Sequence, residues 1–177
     1  MKNIACSAVL TICGIWFGGC AAPKSAAAKV IDCNSISIQE IETIMSARFL
    51  APEVTKPELL GSDTAECNWF RQGKRGWVTL LSLSVSTRES RVKKDTVASG
   101  GLYLEFLRSF LVRNGQKIAL GDGAWVNWVN IPGGMGNGVL IFRKQDTVVT
   151  LIVSDQDELT PNIKELTLLG QILVKKL

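Results

Sequence analysis

The stretch "WVTLLSLSVS" at residues 77–86 decides the fold. Leu81, Leu83 and Val85 alternate with Ser82, Ser84 and Ser86. A period of two puts the aliphatic side chains on one face of a strand and the hydroxyls on the other. One dry face and one wet face predict a mostly antiparallel sheet. Upstream, "CNWFRQ" (67–72) reads as the preceding strand and "KRG" (74–76) as a turn. Downstream, the charged run "RESRVKKD" (88–95) reads as a solvated linker, with an anion-binding patch as the second reading.

Helical signals flank this unit. In "ISIQEIETIMSARF" (36–49), Ser37 and Glu40 make an S-x-x-E capping box, and Ile36 with Ile41 makes a hydrophobic staple. Ile38, Ile41, Met45 and Phe49 recur at helical spacing. "GLYLEFLRSFLVRNG" (101–115) is a second helix, stopped by Asn114-Gly115. The last helix is expected from Thr160, with Pro161 at its first position and Ile163, Leu166, Leu169 or Gly170, Leu173 and Leu177 facing inward. Between these lie a proline-broken connection (51–66), short strands around Gly121-Asp122-Gly123, a glycine-rich tip "PGGMGNG" (132–138) and a hairpin turning near residues 144–146. The whole reads as an α+β two-layer sandwich, an antiparallel sheet with about three helices on one face. A weak echo links "NWFRQGKRGWVTLLSLSVS" (68–86) with "LIFRKQDTVVTLIVSDQ" (140–156). It reads either as a duplicated helix-plus-hairpin unit or as grammar shared by any two hairpins.

The N-terminus carries the most specific signal. Lys2 precedes an apolar run from Ile4 to Phe17, and Gly18-Gly19 leads into Cys20. "FGGC" resembles the lipobox of bacterial lipoproteins, although Phe17 stands where Leu is common. The resemblance implies cleavage before Cys20, acylation of that cysteine, and anchoring of the chain in a membrane. An uncleaved membrane helix from Ile4 to Ala22, or a plain signal peptide, are the alternatives. The low-complexity "AAPKSAAAK" (21–29) reads as a tether. The expected division is a signal at 1–19, lipidated cysteine and tether at 20–30, and one α+β domain at 31–177. Ala21, rather than Asp, implies the outer membrane of a Gram-negative host, facing the periplasm. With a lipobox, short tether and compact domain, the chain is similar to the small bacterial envelope lipoproteins.

The same resemblance settles the cysteine arithmetic. Of five cysteines, Cys6 and Cys13 leave with the signal and Cys20 is lipidated. Cys33 and Cys67 remain, an even pair in a compartment that permits a disulfide. Two separate buried thiols are the other reading.

Chemistry is scarce elsewhere. The chain contains no histidine, which excludes Ser-His-Asp and Cys-His catalysis and H-E-x-x-H zinc sites. "GGMGNG" lacks the Lys and Ser/Thr of a phosphate-binding loop. "SDQDE" (154–158) lacks the register of a calcium loop. No metal or cofactor is expected. The net charge of +4 is too small for a dedicated nucleic-acid binder. Trp125 and Trp128 have opposite parity, so one of them is expected to face outward on a strand beside the glycine-rich tip. Trp128, Gly133, Gly134, Met135 and Gly136 are therefore the candidate contact to an envelope protein partner. The alternative is an envelope hydrolase or transferase using carboxylates among Asp122, Asp155, Asp157 and Glu158. The binding domain is the primary expectation, and enzymatic activity the lesser one.

Extraction of the native protein from membranes, followed by intact mass measurement, checks the lipobox reading. The expected mass is that of residues 20–177 plus acyl groups; a mass retaining Met1 and Lys2 would contradict it.

Overall fold

The computed structural model describes residues 32–55, 66–73, 76–93, 99–131, 135–155 and 163–177. The lipobox, Cys20 and most of the tether lie outside these residues, as do Gly133, Gly134, Asp157, Glu158, Thr160 and Pro161. The elements run α1 (Ile38–Met45), β1 (Glu53–Thr55), β2 (Glu66–Gly73), β3 (Gly76–Ser86), α2 (Arg88–Lys93), α3 (Gly100–Leu111), β4 (Gln116–Ile118), β5 (Gly123–Ile131), β6 (Met135–Lys144), β7 (Thr147–Asp155) and α4 (Ile163–Lys176). The strands form one sheet of seven in the order β1-β2-β3-β7-β6-β5-β4. Every neighbouring pair is antiparallel. The fold is α+β, as the alternation in β3 predicts.

The helices differ from expectation by covering both faces rather than sharing one. The reason lies in "VLIF" (139–142) of β6, an apolar run without alternation, the mark of a strand buried on both sides. Leu140 and Phe142 join Leu81, Leu83, Val85, Leu151 and Val153 in a core with Ile41 of α1 and Leu166, Leu169 and Leu173 of α4. Val139 and Ile141 point the other way, packing with Val148 and with Leu104 and Leu107 of α3. Two further differences are local. Residues 53–55, read as part of a connection, form the short edge strand β1. Residues 88–93, read as a solvated linker, form α2, in which Arg91 is 2% exposed.

Local chemistry fixes the first helix. The Glu40 N–H donates to Ser37 Oγ at 3.2 Å, while the Ser37 N–H donates to Glu40 Oε2 at 2.8 Å. That backbone bond, above all, holds the Glu40 carboxyl below the usual carboxylate range. Lys176 reaches the same carboxylate at 3.3 Å and so ties α4 to α1. Gly170 lets α4 approach the sheet closely: a Cβ there would lie 2.7 Å from Leu140 Cδ2 and 2.8 Å from Leu120 Cδ2. Without a side chain at that point the helix settles directly onto the β6 layer.

The echo between 68–86 and 140–156 does not follow the symmetry of the sheet. A two-fold axis relating antiparallel neighbours β3 and β7 stands perpendicular to the sheet and preserves its faces. The echo aligns Phe70 with Phe142. Phe142 lies in the core beneath α4, together with Trp69. Phe70, the next residue after Trp69 on β2, falls on the opposite face. Shared hairpin grammar accounts for the likeness.

Cys33 and Cys67, 34 positions apart in sequence, are joined as a disulfide with Cα atoms 5.4 Å apart. The bond pins the segment before α1 to β2. Replacing both by Ala is expected to cost roughly 3–4 kcal/mol in the chain-entropy account, read as a fall in the denaturation midpoint. An unchanged midpoint would mean the bridge adds nothing to stability.

Candidate functional site

The hydroxyl face of β3 does not lie in water. Ser82 is 4% and Ser86 6% exposed, and Ser84 is half-buried. Together with Thr150 of β7 they floor a pocket of about 80 Å3. One wall is apolar, from Leu107 and Leu111 of α3 and Val148 and Ile152 of β7. Glu66 of β2 and Tyr103 of α3 complete it. The pocket follows from side-chain size. α3 packs chiefly over β6 and β7, and beside it the strand carries serines too short to fill the space an aliphatic residue would occupy.

Each end of the serine row is tied by a hydrogen bond. The Ser82 hydroxyl donates to the Glu66 carboxylate. At the other end the Arg91 guanidinium donates to the Ser86 carbonyl at 2.9 Å and to the Asp146 carbonyl at 2.6 Å. It also lies 5.4 Å from the centre of the Tyr103 ring. Arg91 thereby ties α2 to the end of β3 and to the β6–β7 turn. Burial lowers its pKa, and the charge of Asp146 works against that shift. Burial also pushes the Tyr103 hydroxyl above its ordinary value of 10.0, while a hydrogen bond with Ser86 and the charge of Arg91 pull it down.

Those of the residues singled out by sequence that are described are not gathered at this pocket. Trp128 lies on the opposite face, half-buried. Its ring fills the space above Gly138: a Cβ on that glycine would sit 2.7 Å both from the ring and from Leu166 Cδ1 of α4. Trp125, of opposite parity, faces α3, with the Arg108 guanidinium 4.9 Å and the Lys117 ammonium 6.0 Å from its ring. Since helices cover both faces, opposite parity did not leave a bare tryptophan. Met135 and Gly136 open β6. Asp122 is exposed, and its carboxylate accepts the Gln145 N–H, joining two turns. Its own N–H donates to the Arg143 carbonyl at 2.7 Å. Asp155 pairs with Gly136 at the other end of β6. Seven residues of strand, about 23 Å, separate these two positions, against the roughly 5–9.5 Å that paired-carboxylate hydrolysis needs. Among the described residues no group of three His, Cys, Asp or Glu could hold a metal ion.

Sequence reasoning passed over the pocket because alternation alone assigns serines to solvent. The available signal was the second helix: a 12-residue amphipathic α3 must bury Leu104 and Leu107 somewhere, and the sheet's other face was the only surface left. No protein-family model matches the chain, and none of the curated proteins compared with it matches in sequence.

Tyr103 is the only tyrosine, so phenolate absorbance at 295 nm reports this site alone. Its midpoint is expected above the ordinary value of 10.0, and higher still in Arg91→Met, which removes the cation that opposes the shift. The protonated ring therefore favours the fold below the ordinary tyrosine pKa, and that contribution fades as pH rises through the raised one. A native midpoint at or below the ordinary value would place the ring in water.

Proposed function

We propose that this chain is a lipid-anchored protein of the bacterial envelope, held through Cys20, whose folded part is a binding domain for an envelope protein partner. The observation that carries the binding role is the pocket between α3 and the serine face of β3. Its volume of about 80 Å3 is well below the roughly 300–1,000 Å3 of a site enclosing a whole small molecule. It suits one protruding group rather than a metabolite. Its lining specifies the chemistry of that group: an aliphatic stem against Leu107, Leu111, Val148 and Ile152, ending in a hydrogen-bond donor aimed at Glu66 and the hydroxyls of Ser82, Ser84 and Thr150. A lysine side chain of the partner has that form.

The anchor rests on the "FGGC" sequence, and placement at the outer membrane rests on Ala21. A second contact surface at Trp128 and residues 133–136 rests on its sequence alone, since the Trp128 ring is half-buried over Gly138. The carboxylate-enzyme reading has no comparable support, given the separation of Asp122 and Asp155 along β6.

A photo-crosslinking amino acid at Leu111, on the rim of the pocket, tests the binding role in cells. It is expected to trap one discrete envelope protein, with the adduct reduced several-fold by Glu66→Gln. The same probe at Thr43, exposed on α1, should not trap it. Identical adducts from both positions would remove the pocket from the contact.

A further inference from the structure

The outer side of α3 is apolar where solvent-facing helices are polar. Leu102, Phe106 and Phe110 are 65%, 48% and 72% exposed. They follow one another at a spacing of four, roughly 200° around the helix from buried Leu104. The rings are contiguous: Phe106 lies 4.8 Å from Phe110 and 6.2 Å from Tyr103, centre to centre. α3 thus has two apolar faces, one spent on the sheet and one unspent.

The first exposed charges that follow α3 in the chain are cationic. Arg113 and Lys117, both exposed, follow the C-terminal end of α3, with the Lys117 ammonium also 6.0 Å from the Trp125 ring. Glu105 is the one acid within α3, and Arg108 neutralises it at 2.6 Å. An aromatic and aliphatic stripe with an arginine and a lysine at its end matches the boundary between headgroups and acyl chains of an anionic bilayer. The size of the patch separates this occupant from others. Three side chains expose a few hundred Å2 at most, short of the roughly 800 Å2 per partner of a stable protein complex. A second copy of the chain would gain too little from it. A bilayer requires no such minimum if the protein is already tethered there, because weak partitioning then acts at high effective concentration. Eleven residues separate Cys20 from Asp32, a reach of at most about 40 Å.

From this geometry we infer that α3 lies flat on an anionic bilayer surface, its Leu102–Phe106–Phe110 stripe in the acyl boundary and Arg113 and Lys117 among the headgroups. The inference rests on the anchored reading. With 12 residues α3 is about 18 Å long, too short to cross the membrane and long enough to lie on it. The helix then serves as a second, reversible contact that fixes how the anchored domain is turned, while the lipid fixes only its distance.

The processed native protein, beginning at acylated Cys20, in vesicles of phosphatidylethanolamine with phosphatidylglycerol as the minor component provides the test. With Cys6 and Cys13 removed with the signal, Cys20 acylated and Cys33 bonded to Cys67, a cysteine introduced at position 102, 106 or 110 is the only free thiol and accepts a nitroxide. Each replaced residue is exposed, so the core is untouched. The expected result is that these nitroxides meet oxygen and are shielded several-fold from a water-soluble nickel chelate, whereas one at Thr43→Cys is not shielded. The shielding should fall in the Arg113→Glu, Lys117→Glu double variant and in phosphatidylcholine vesicles. Vesicle-bound protein whose α3 nitroxides are as open to the chelate as position 43 would overturn the inference and leave the anchor standing. Shielding indifferent to the charge variant would overturn the anionic surface as its partner. Protein left in the supernatant would overturn the anchored reading, and this inference with it.

Discussion

Two-sided burial of β6 and β7 is the constraint on which the rest of the molecule depends. Val139, Leu140, Ile141 and Phe142 have no solvent face, so both sides of the sheet must be roofed. α4 with α1 roofs one side and α3 the other. Burying an aliphatic or aromatic side chain is worth about 1.5–3 kcal/mol. Leaving either side of β6 uncovered would forfeit several such contributions, more than the few kcal/mol by which a domain of this size is stable. Gly170 and Gly138 serve the same constraint, one admitting α4 to the sheet and the other admitting the Trp128 ring.

The pocket is the cost of roofing a strand whose second face was built for water. β3 pairs with β7, and α3, drawn over β6 and β7 by Val139, Ile141 and Val148, takes the serine row of β3 into its shadow. Buried hydroxyls require partners. Ser82 finds Glu66, and the Ser86 carbonyl finds Arg91. Arg91 in turn needs acceptors for a guanidinium taken out of water, and the Asp146 carbonyl supplies one across 55 residues of chain. A sequence of small polar choices thus closes the sheet around a space of about 80 Å3.

How much of this could be read beforehand varies with how local the cause is. Ser37 and Glu40 cap α1 through atoms three residues apart, so the capping box stood in the sequence. The β2–β3 and β6–β7 hairpins were legible from period and turn chemistry. The Cys33–Cys67 bond followed from counting cysteines rather than from any geometry. Which face each helix covers was not legible, because Leu104 and Leu107 record that α3 is amphipathic but not against what. Arg91 was misread for the same reason: a run rich in Arg and Lys describes an average environment, and one guanidinium in it found carbonyls contributed by β3 and the β6–β7 turn. The pocket inherits both errors, since it exists only where α3 and β3 meet.

The two surfaces of α3 connect these arguments. A helix that merely closed a sheet would carry charge on its outer side, and this one carries Leu102, Phe106 and Phe110. Its inner side holds Leu107 and Leu111, which form the apolar wall of the pocket. Whatever positions α3 from outside therefore also sets the width of the pocket inside, because a helix transmits displacement as a rigid body while close-packed side chains resist compression. On the proposed reading, a bilayer at the stripe and a partner group in the pocket would act on opposite sides of the same 12 residues. Binding energy at one side that favours a particular position of α3 must, by linkage, change affinity at the other by the same factor. On the proposed reading, the arrangement would couple being at the membrane to being able to bind, through one helix that is apolar on both of its faces.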